Sequence, residues 1–279
     1  MTQKPDSSLK TRLKSALIFA PIVLILIYFG GGAFALMMAA GAAVAVNEWA
    51  RMTMTGKDHP AFLIQLATGL AGLGVLSAGM VSNPVTALCF LLALCFLIFA
   101  CNFSQGGPSL KLMLGGLVYI GFSFDIMIWL RSGSSGQGLY DFMTLLLIVW
   151  ASDIAAYFSG KTIGGPKLAP KISPKKTWAG FIGSSVGAGL VAAALACPMF
   201  VYKISVDTIG GMGPLGYAVM GAILAMFGQG GDLLVSLFKR HFGVKDTGTL
   251  IPGHGGILDR IDALLLVAYI FGCLAVVLP

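Results

Sequence analysis

Long apolar runs constrain this chain more than any other feature of its sequence. They are close to the length of about 20 residues that an α-helix needs to cross a bilayer, and 57% of all residues are apolar. Only 10% of the 279 residues are charged, whereas a soluble domain carries about 25%. So few polar residues could not cover a water-facing surface, and we therefore predict an all-α integral membrane protein.

The apolar runs predict a polytopic bundle of about nine transmembrane helices. The segment before the first run is polar and basic, like the start of a signal peptide, but no small-residue cleavage site follows, so we interpret the first run as a retained helix. The limits of the predicted spans are 13–30, 33–50, 61–81, 84–103, 110–130, 140–159, 178–201, 213–238 and 257–278.

The basic residues predict how the bundle is oriented. With nine spans, all 18 lysines and arginines except Arg131 and Lys203 fall on the side that holds the N-terminus. Basic loops favour the cytoplasmic side, so we predict a cytoplasmic N-terminus and a C-terminus on the opposite side. The net charge of +7 is then explained by topology and by anionic lipid headgroups, and no nucleic acid partner is expected.

Residues that could carry chemistry concentrate in the second half of the chain. We therefore divide it into N-terminal membrane helices, 1–130 (spans 1–5), and a C-terminal catalytic region, 131–279 (spans 6–9), with cytoplasmic loops at 160–177 and 239–257. The five cysteines lie in or beside apolar runs without a CxxC pair, which indicates packing and no metal centre. The glycines of a GxxxG motif at 183–187 predict close helix packing.

The acidic residues are few, and they indicate a site in the segment 231–262. An ionised Asp inside a span costs about 2.5–3.5 kcal/mol on insertion scales, so it needs a partner, a metal or a water-filled cavity. Asp232, Ser236 and Lys239 are spaced i, i+4, i+7 and share one helical face. Asp232 and Asp259, from two different helices, could together bind Mg²⁺, which takes a few hard oxygen ligands along with substrate phosphates.

The rest of that segment is rich in groups that bind anions. Glycines let a backbone approach a ligand closely, and their N–H groups can hold a phosphate. Helix caps and loop charges at a membrane surface are the structural alternative. The further candidates are Arg240, Asp246, His254, Gly255, Gly256, Arg260 and Asp262.

Other intramembrane acids receive different interpretations. Asp153, near the end of the sixth span, is a further candidate for substrate binding. Asp125 is read as structural, paired with a neighbouring helix. Glu48, which stands beside Trp49 and Arg51 at the end of the second span, is also read as structural.

A second cluster, at 160–180, carries five lysines and no acidic residue. Its glycines and prolines predict a loop. Uncompensated cations on one loop form an anion site, for a lipid surface or a triphosphate; the alternative is a topology signal alone. The stiff sequence around Pro174 favours a binding role, in which the candidate residues are Ser173, Lys175, Lys176 and Thr177.

These two clusters resemble motifs of the phosphatidate cytidylyltransferase (CDP-diacylglycerol synthase) family. The spacing from Ser236 to Asp262, with its Lys-Arg, Lys-Asp, His-Gly-Gly and Asp-Arg pairs, is similar to the C-terminal signature of that family. The stretch from Ser173 to Gly180 is similar to a second motif, SPKKTWEG. Ala179 departs from it, because the family pattern has Glu there, and we leave Ala179 out of the site.

The resemblance implies a Mg²⁺-dependent reaction of CTP with phosphatidate that yields CDP-diacylglycerol and pyrophosphate, a step of phospholipid biosynthesis. It implies metal binding at Asp232 and Asp259, often a homodimer, and it allows a second, monovalent cation such as K⁺. The implied location is the bacterial inner membrane, with an active site that faces the cytoplasm. The partners are then CTP, phosphatidate and the bilayer.

The residues suit this chemistry. A phosphomonoester has a second pKa of about 6 and is largely dianionic at neutral pH, so its in-line attack on CTP needs no general base. Positioning and electrostatics must then provide most of the catalysis. We expect Asp232, Asp259, Lys239 and Arg240 to be catalytic, and Lys175 and Lys176 to assist by binding phosphate.

Three other classes of protein are alternatives. A transporter also has intramembrane acids, but here the charges gather at one membrane face and not at the midplane. A CDP-alcohol phosphotransferase would carry the DGxxAR helix, which this sequence lacks. A scaffold protein would not need buried carboxylates.

Overall fold

Helices make up nearly all of the regular structure. The computed structural model describes residues 5–54, 68–69, 72, 74–75, 92, 108–133, 138–197, 213–250 and 255–277. The helices are α1 (Pro5–Phe29), α2 (Gly31–Thr53), α3 (Pro108–Ser132), α4 (Gly138–Thr162), α5 (Trp178–Leu195), α6 (Pro214–His241) and α7 (Leu258–Val277), and between α4 and α5 lie two short strands, β1 (Lys167–Ala169) and β2 (Ser173–Thr177).

The predicted spans agree with these helices. Spans 61–81 and 84–103 fall almost wholly outside the described residues, and each of the others coincides with a helix. Within the described part of the chain, α2 to α6 are long and apolar enough to cross a membrane. The prediction of a mostly helical membrane protein is therefore confirmed, whereas the total of nine spans stays a prediction.

The chain divides into two units, and the first comprises residues 1–132 and 241–261. In this unit α1 ends against α3, where the guanidinium of Arg131 donates to the carbonyl oxygens of Ile27 at 2.7 Å and Tyr28 at 2.8 Å. Trp49 joins α2 to α3 by donating to the Leu112 carbonyl oxygen at 2.9 Å. Gly116 faces the Trp49 indole, which occupies the space that a Cβ there would need. The Trp49 contacts fix the C-terminal end of α2 relative to α3.

The second unit comprises residues 133–240 and 262–279, and small residues bring its helices close together. A Cβ at Gly183 would overlap the Ser159 side chain, and one at Gly187 would overlap Ala155. The predicted role of this GxxxG pair in helix packing is therefore confirmed for α4 and α5. Thr177 caps α5, because its hydroxyl oxygen accepts from the Gly180 N–H at 3.1 Å.

The segment between α4 and α5 contains an antiparallel hairpin, where the sequence predicted only a loop. β1 pairs with β2 through Lys167 opposite Thr177 and Ala169 opposite Ser173. A turn joins the strands, closed by the Ile172 N–H donating to the Ala169 oxygen at 3.2 Å, with Pro at the position where a fixed φ favours a turn. The hairpin gives Lys175 and Lys176 defined positions ahead of α5.

Gly231 provides a test of the contact between α6 and α7. A Cβ there would lie 2.6 Å from the backbone oxygen of Asp262, whereas one at Gly230 would come no closer than 3.8 Å to Leu266. We expect Gly231→Ala to destabilise the protein by about 1–3 kcal/mol through overpacking. Gly230→Ala, the matched control, should be neutral or stabilising, by up to about 1 kcal/mol, because Ala is the better helix former.

Thermal unfolding of both variants in the same detergent measures the difference. An unfolding temperature of Gly231→Ala equal to or above that of Gly230→Ala would show that α6 and α7 are not in this close contact.

Candidate active site

A cavity of about 370 Å³ lies in the second unit, among α4, β2, the start of α5 and α6. Its volume falls in the range of about 300–1,000 Å³ that small-molecule sites occupy. The lining combines three lysines and two aspartates with aromatic and small side chains. The lining residues are Asp153, Ala156, Tyr157, Gly160, Lys161, Lys175, Lys176, Thr177, Gly180, Phe181, Gln229 and Asp232.

A salt bridge joins the hairpin to α6 inside this cavity. The Nζ atom of Lys176 lies 2.7 Å from Oδ2 of Asp232, and it also donates to the side-chain oxygen of Gln229 at 2.9 Å. Ser236 donates to Oδ1 of Asp232 at 3.2 Å, and the two residues lie on one helical face, as their i, i+4 spacing predicted. Asp232 is therefore held at both oxygens, and its side chain is still 35% exposed, so a ligand can reach it.

The other two lysines of the lining are exposed. Lys175 precedes Lys176 on β2, and Lys161 lies in the last turn of α4, where its Nζ stands 5.6 Å from the centre of the Tyr157 ring. An exposed lysine can turn toward an anion at little cost. The cavity can therefore place two mobile cations against a bound polyanion, beside a third that is fixed on Asp232.

Further charges surround Asp232. Asp153, exposed on α4, and Asp262, half-buried just after the first turn of α7, are each close enough to Asp232 for their charges to interact. Lys239 in turn interacts with Asp262. Among the described residues no group of three or more His, Cys, Asp or Glu side chains converges on a common point. A metal at Asp232 would therefore take part of its coordination from substrate or water.

The remaining predicted residues of this unit lie in the hairpin or contact it. Arg240 lies exposed in the last turn of α6, which runs beyond its predicted end at residue 238, and its Nε donates to the Ile172 oxygen at 3.3 Å. Thr177 lines the cavity and caps α5. Ser173 begins β2 opposite Ala169 and is not among the lining residues.

A second constellation lies in the first unit, around Asp259 in the first turn of α7. Its Oδ2 atom accepts from the Thr247 N–H at 2.8 Å, the Thr247 hydroxyl at 3.0 Å and the Gly256 N–H at 3.1 Å. Gly255 has a φ of +84°, and a Cβ there would lie 3.0 Å from the same oxygen. The glycines of the predicted signature therefore allow the backbone to wrap around the Asp259 carboxylate.

The other predicted residues near Asp259 in the sequence are either exposed or outside the described residues. Asp246 and Arg260 are exposed, and His254 lies outside the described residues. Asp232 belongs to the second unit and Asp259 to the first, so each is described within its own unit. Their joint binding of one metal ion stays a prediction.

Sequence reasoning missed several cavity residues. The sequence analysis counted Lys161 only as part of the lysine cluster. Tyr157 and Phe181 could not be recognised as site residues, because aromatic residues are common in membrane helices. Gln229 could have been recognised, because it is an amide in an apolar helix, three residues before Asp232. Glu48, read as structural, turns out to contact the segment that holds Asp259.

Comparison with known proteins agrees with the motifs. Residues 10–278 match the Cytidylyltransferase family. The chain is 36% identical over 277 residues to a phosphatidate cytidylyltransferase of Brucella suis biovar 1 (strain 1330), covering 96% of this chain and 94% of the relative. It is 39% identical over 171 residues to one from Rickettsia prowazekii (strain Madrid E), covering 61% of this chain and 73% of that relative. The resemblance drawn from the motifs is thus confirmed.

Proposed function

Because this chain belongs to the Cytidylyltransferase family, we propose that it is a phosphatidate cytidylyltransferase, which converts CTP and phosphatidate into CDP-diacylglycerol and pyrophosphate. The observation that carries the proposal is the cavity in which Lys161, Lys175 and Lys176 face Asp153 and Asp232. Cations suit the phosphates of both substrates. The apolar surfaces of α4 and α5 suit a diacyl substrate whose headgroup lies at the membrane interface.

The reaction requires a site that binds two anionic substrates, and the residues of the cavity can provide it. A phosphate oxygen of phosphatidate bonds to the α-phosphorus of CTP, and the bond from that phosphorus to the bridging oxygen of pyrophosphate breaks. Both substrates are anions, so the site must hold them together in line and stabilise the charge that moves to pyrophosphate. In this account the three lysines of the cavity bind the triphosphate, and Lys176 also keeps Asp232 oriented.

The donor set of the site fits Mg²⁺. Asp232 is a partly exposed carboxylate with further acidic groups nearby, and hard oxygen ligands in small number, completed by substrate phosphates, are what Mg²⁺ takes. When bound, Mg²⁺ would offset phosphate charge and polarise the α-phosphate for attack. We assign Asp232 and Asp259 as its protein ligands, and Lys239 and Arg240 as catalytic cations. A monovalent cation such as K⁺ and a homodimer are expected from the family resemblance.

The proposed setting is the bacterial inner membrane, crossed nine times, with the active site on the cytoplasmic side. The distribution of lysines and arginines supports this orientation.

We expect a single cysteine at Lys167, on the hairpin, to react with a membrane-impermeant maleimide only after the cells are opened. A cysteine at Asp207 should react in intact cells. Labelling of the Lys167 position from outside intact cells would contradict the nine-span topology.

Pyrophosphate release tests the function against a transporter. Purified protein in nanodiscs should release pyrophosphate from CTP only when phosphatidate and Mg²⁺ are both present, and diacylglycerol, which lacks the phosphate, should not replace phosphatidate. A protein that binds these ligands without releasing pyrophosphate would not be the proposed enzyme.

A further inference from the structure

The Glu48 carboxylate makes contacts that its position at the end of α2 does not explain. Its side chain is buried, with 7% exposure. Oε1 accepts from the Ile257 N–H at 3.0 Å, and Oε2 accepts from the Leu258 N–H at 2.9 Å. The hydroxyl of Thr247 lies 3.0 Å from Oε2 as well. A buried carboxylate is therefore satisfied by groups of a segment some 200 residues further along the chain.

These donors stand at the start of α7. The first N–H groups of a helix have no partner within it and are usually capped by a nearby side chain. Here Glu48 supplies the cap from another helix, and its negative charge also suits the positive end of the helix dipole. The position and direction of the first turn of α7 are thereby tied to α2.

The same contacts reach Asp259, which lies in that first turn. The Thr247 hydroxyl is 3.0 Å from Oδ2 of Asp259 and 3.0 Å from Oε2 of Glu48, so its single proton can be donated to either carboxylate. Two glycines make room for this arrangement. A Cβ at Gly248 would lie 2.6 Å from Oε1 of Glu48, and one at Gly256 would overlap Oε2.

Glu48 is itself held on a rigid support. The neighbouring Trp49 donates to the Leu112 oxygen at 2.9 Å and fills the space beside Gly116 on α3. A side chain anchored in this way can fix a loop, whereas a mobile one would move with it.

We infer that Glu48 is a positioning residue for Asp259: it fixes the backbone of 256–258 from α2, so that the Asp259 carboxylate is presented in one orientation. The inference rests on the proposed function, in which Asp259 is a metal ligand. Both oxygens are needed, because Gln would keep one acceptor and turn an NH₂ group toward backbone N–H donors. Loss of Glu48 should therefore weaken divalent-cation binding without removing any ligand.

The test uses the full-length protein in nanodiscs, with Mn²⁺ as a spectroscopic probe for the divalent site. In Glu48→Gln we expect Mn²⁺ affinity to fall by about 10- to 100-fold, as for the loss of a residue that orients a ligand. Hydrogen exchange at the amides of Ile257 and Leu258, measured without metal, should become at least about tenfold faster. The control is Asn47→Ala, which removes a contact of α2 to Thr68 and should change neither quantity.

The possible results distinguish a failure of this inference from a failure of the proposed function. Wild-type Mn²⁺ affinity in folded Glu48→Gln overturns the inference, whether or not the amides exchange faster. If that variant does not insert, Thr247→Val and Thr247→Ser decide: Val should weaken Mn²⁺ binding and Ser should restore it, and wild-type binding in Thr247→Val overturns the inference. If Glu48→Gln loses Mn²⁺ binding but the wild type makes no CDP-diacylglycerol, the proposed function fails and the positioning role stands.

Discussion

Asp232→Asn is expected to lower the rate of CDP-diacylglycerol formation by on the order of 10²- to 10³-fold, comparable to the loss of one key electrostatic contact in an enzyme site. Asn matches Asp in size and can still accept one hydrogen bond from Ser236 or Lys176. It lacks the negative charge that Lys176, 2.7 Å away, and a bound Mg²⁺ both require. Because a neutral Asn inserts into a membrane more easily than a charged Asp, the variant should still fold.

Asp259→Asn should have a similar effect for the same reason. The three hydrogen bonds at Oδ2 can be accepted by the amide oxygen of Asn, so the lost charge is the main change. If the loss lies in metal affinity, a higher Mg²⁺ concentration should restore part of the activity of both variants.

The matched control is Asp125→Asn. Asp125 is also a buried carboxylate in a membrane helix, 2% exposed, but it belongs neither to the cavity lining nor to the hydrogen-bond network around Asp259. The activity of Asp125→Asn should stay within a few-fold of the wild-type activity. A Mg²⁺ titration of activity for all three variants in nanodiscs makes the comparison. Wild-type rates and metal dependence in either Asp232→Asn or Asp259→Asn would refute the proposed metal site.

The second large effect is expected at the hairpin. Lys175→Ala and Lys176→Ala should each raise the KM for CTP more than the KM for phosphatidate. A lost charge-assisted contact costs about 1.5–3 kcal/mol, or roughly ten- to hundredfold. Lys176→Ala should in addition lower kcat, because the salt bridge to Asp232 and the hydrogen bond to Gln229 disappear with it.

Lys171→Ala is the control for these two variants. Lys171 is an exposed lysine in the turn of the same hairpin, outside the cavity lining. It should leave both KM values unchanged, although it removes the same charge. A rise in the KM for phosphatidate alone, in either of the other two variants, would show that the hairpin serves the lipid and not the nucleotide.

The helices could be predicted from sequence because membrane spans are encoded locally. An apolar run of sufficient length leaves the backbone no alternative to a helix in lipid, so predicted limits such as 110–130 and 140–159 fall close to α3 and α4. The spacing of Asp232 and Ser236 on one face is likewise a local property, and their hydrogen bond followed from it.

The hairpin and the contacts of Glu48 could not be predicted in this way. Glycines and prolines around Lys167 and Lys171 indicated only a break between helices, because β1 and β2 are too short for a pattern of alternation. The partners of Glu48 lie near residues 247 and 257, and no local spacing links them to α2. Such contacts depend on how distant segments pack, so the sequence suggested only a structural role for Glu48.

We propose that a cytidylyl group is transferred from CTP to phosphatidate in the cavity lined by Lys175 and Asp232. The most direct measurement supplies purified wild-type protein with phosphatidate, Mg²⁺ and CTP carrying a radioactive label at either the α- or the γ-phosphorus, and then identifies the labelled lipid. The account predicts that α-label appears in CDP-diacylglycerol and that γ-label appears only in pyrophosphate. Transfer of γ-label to the lipid, or no labelled lipid at all, would contradict it.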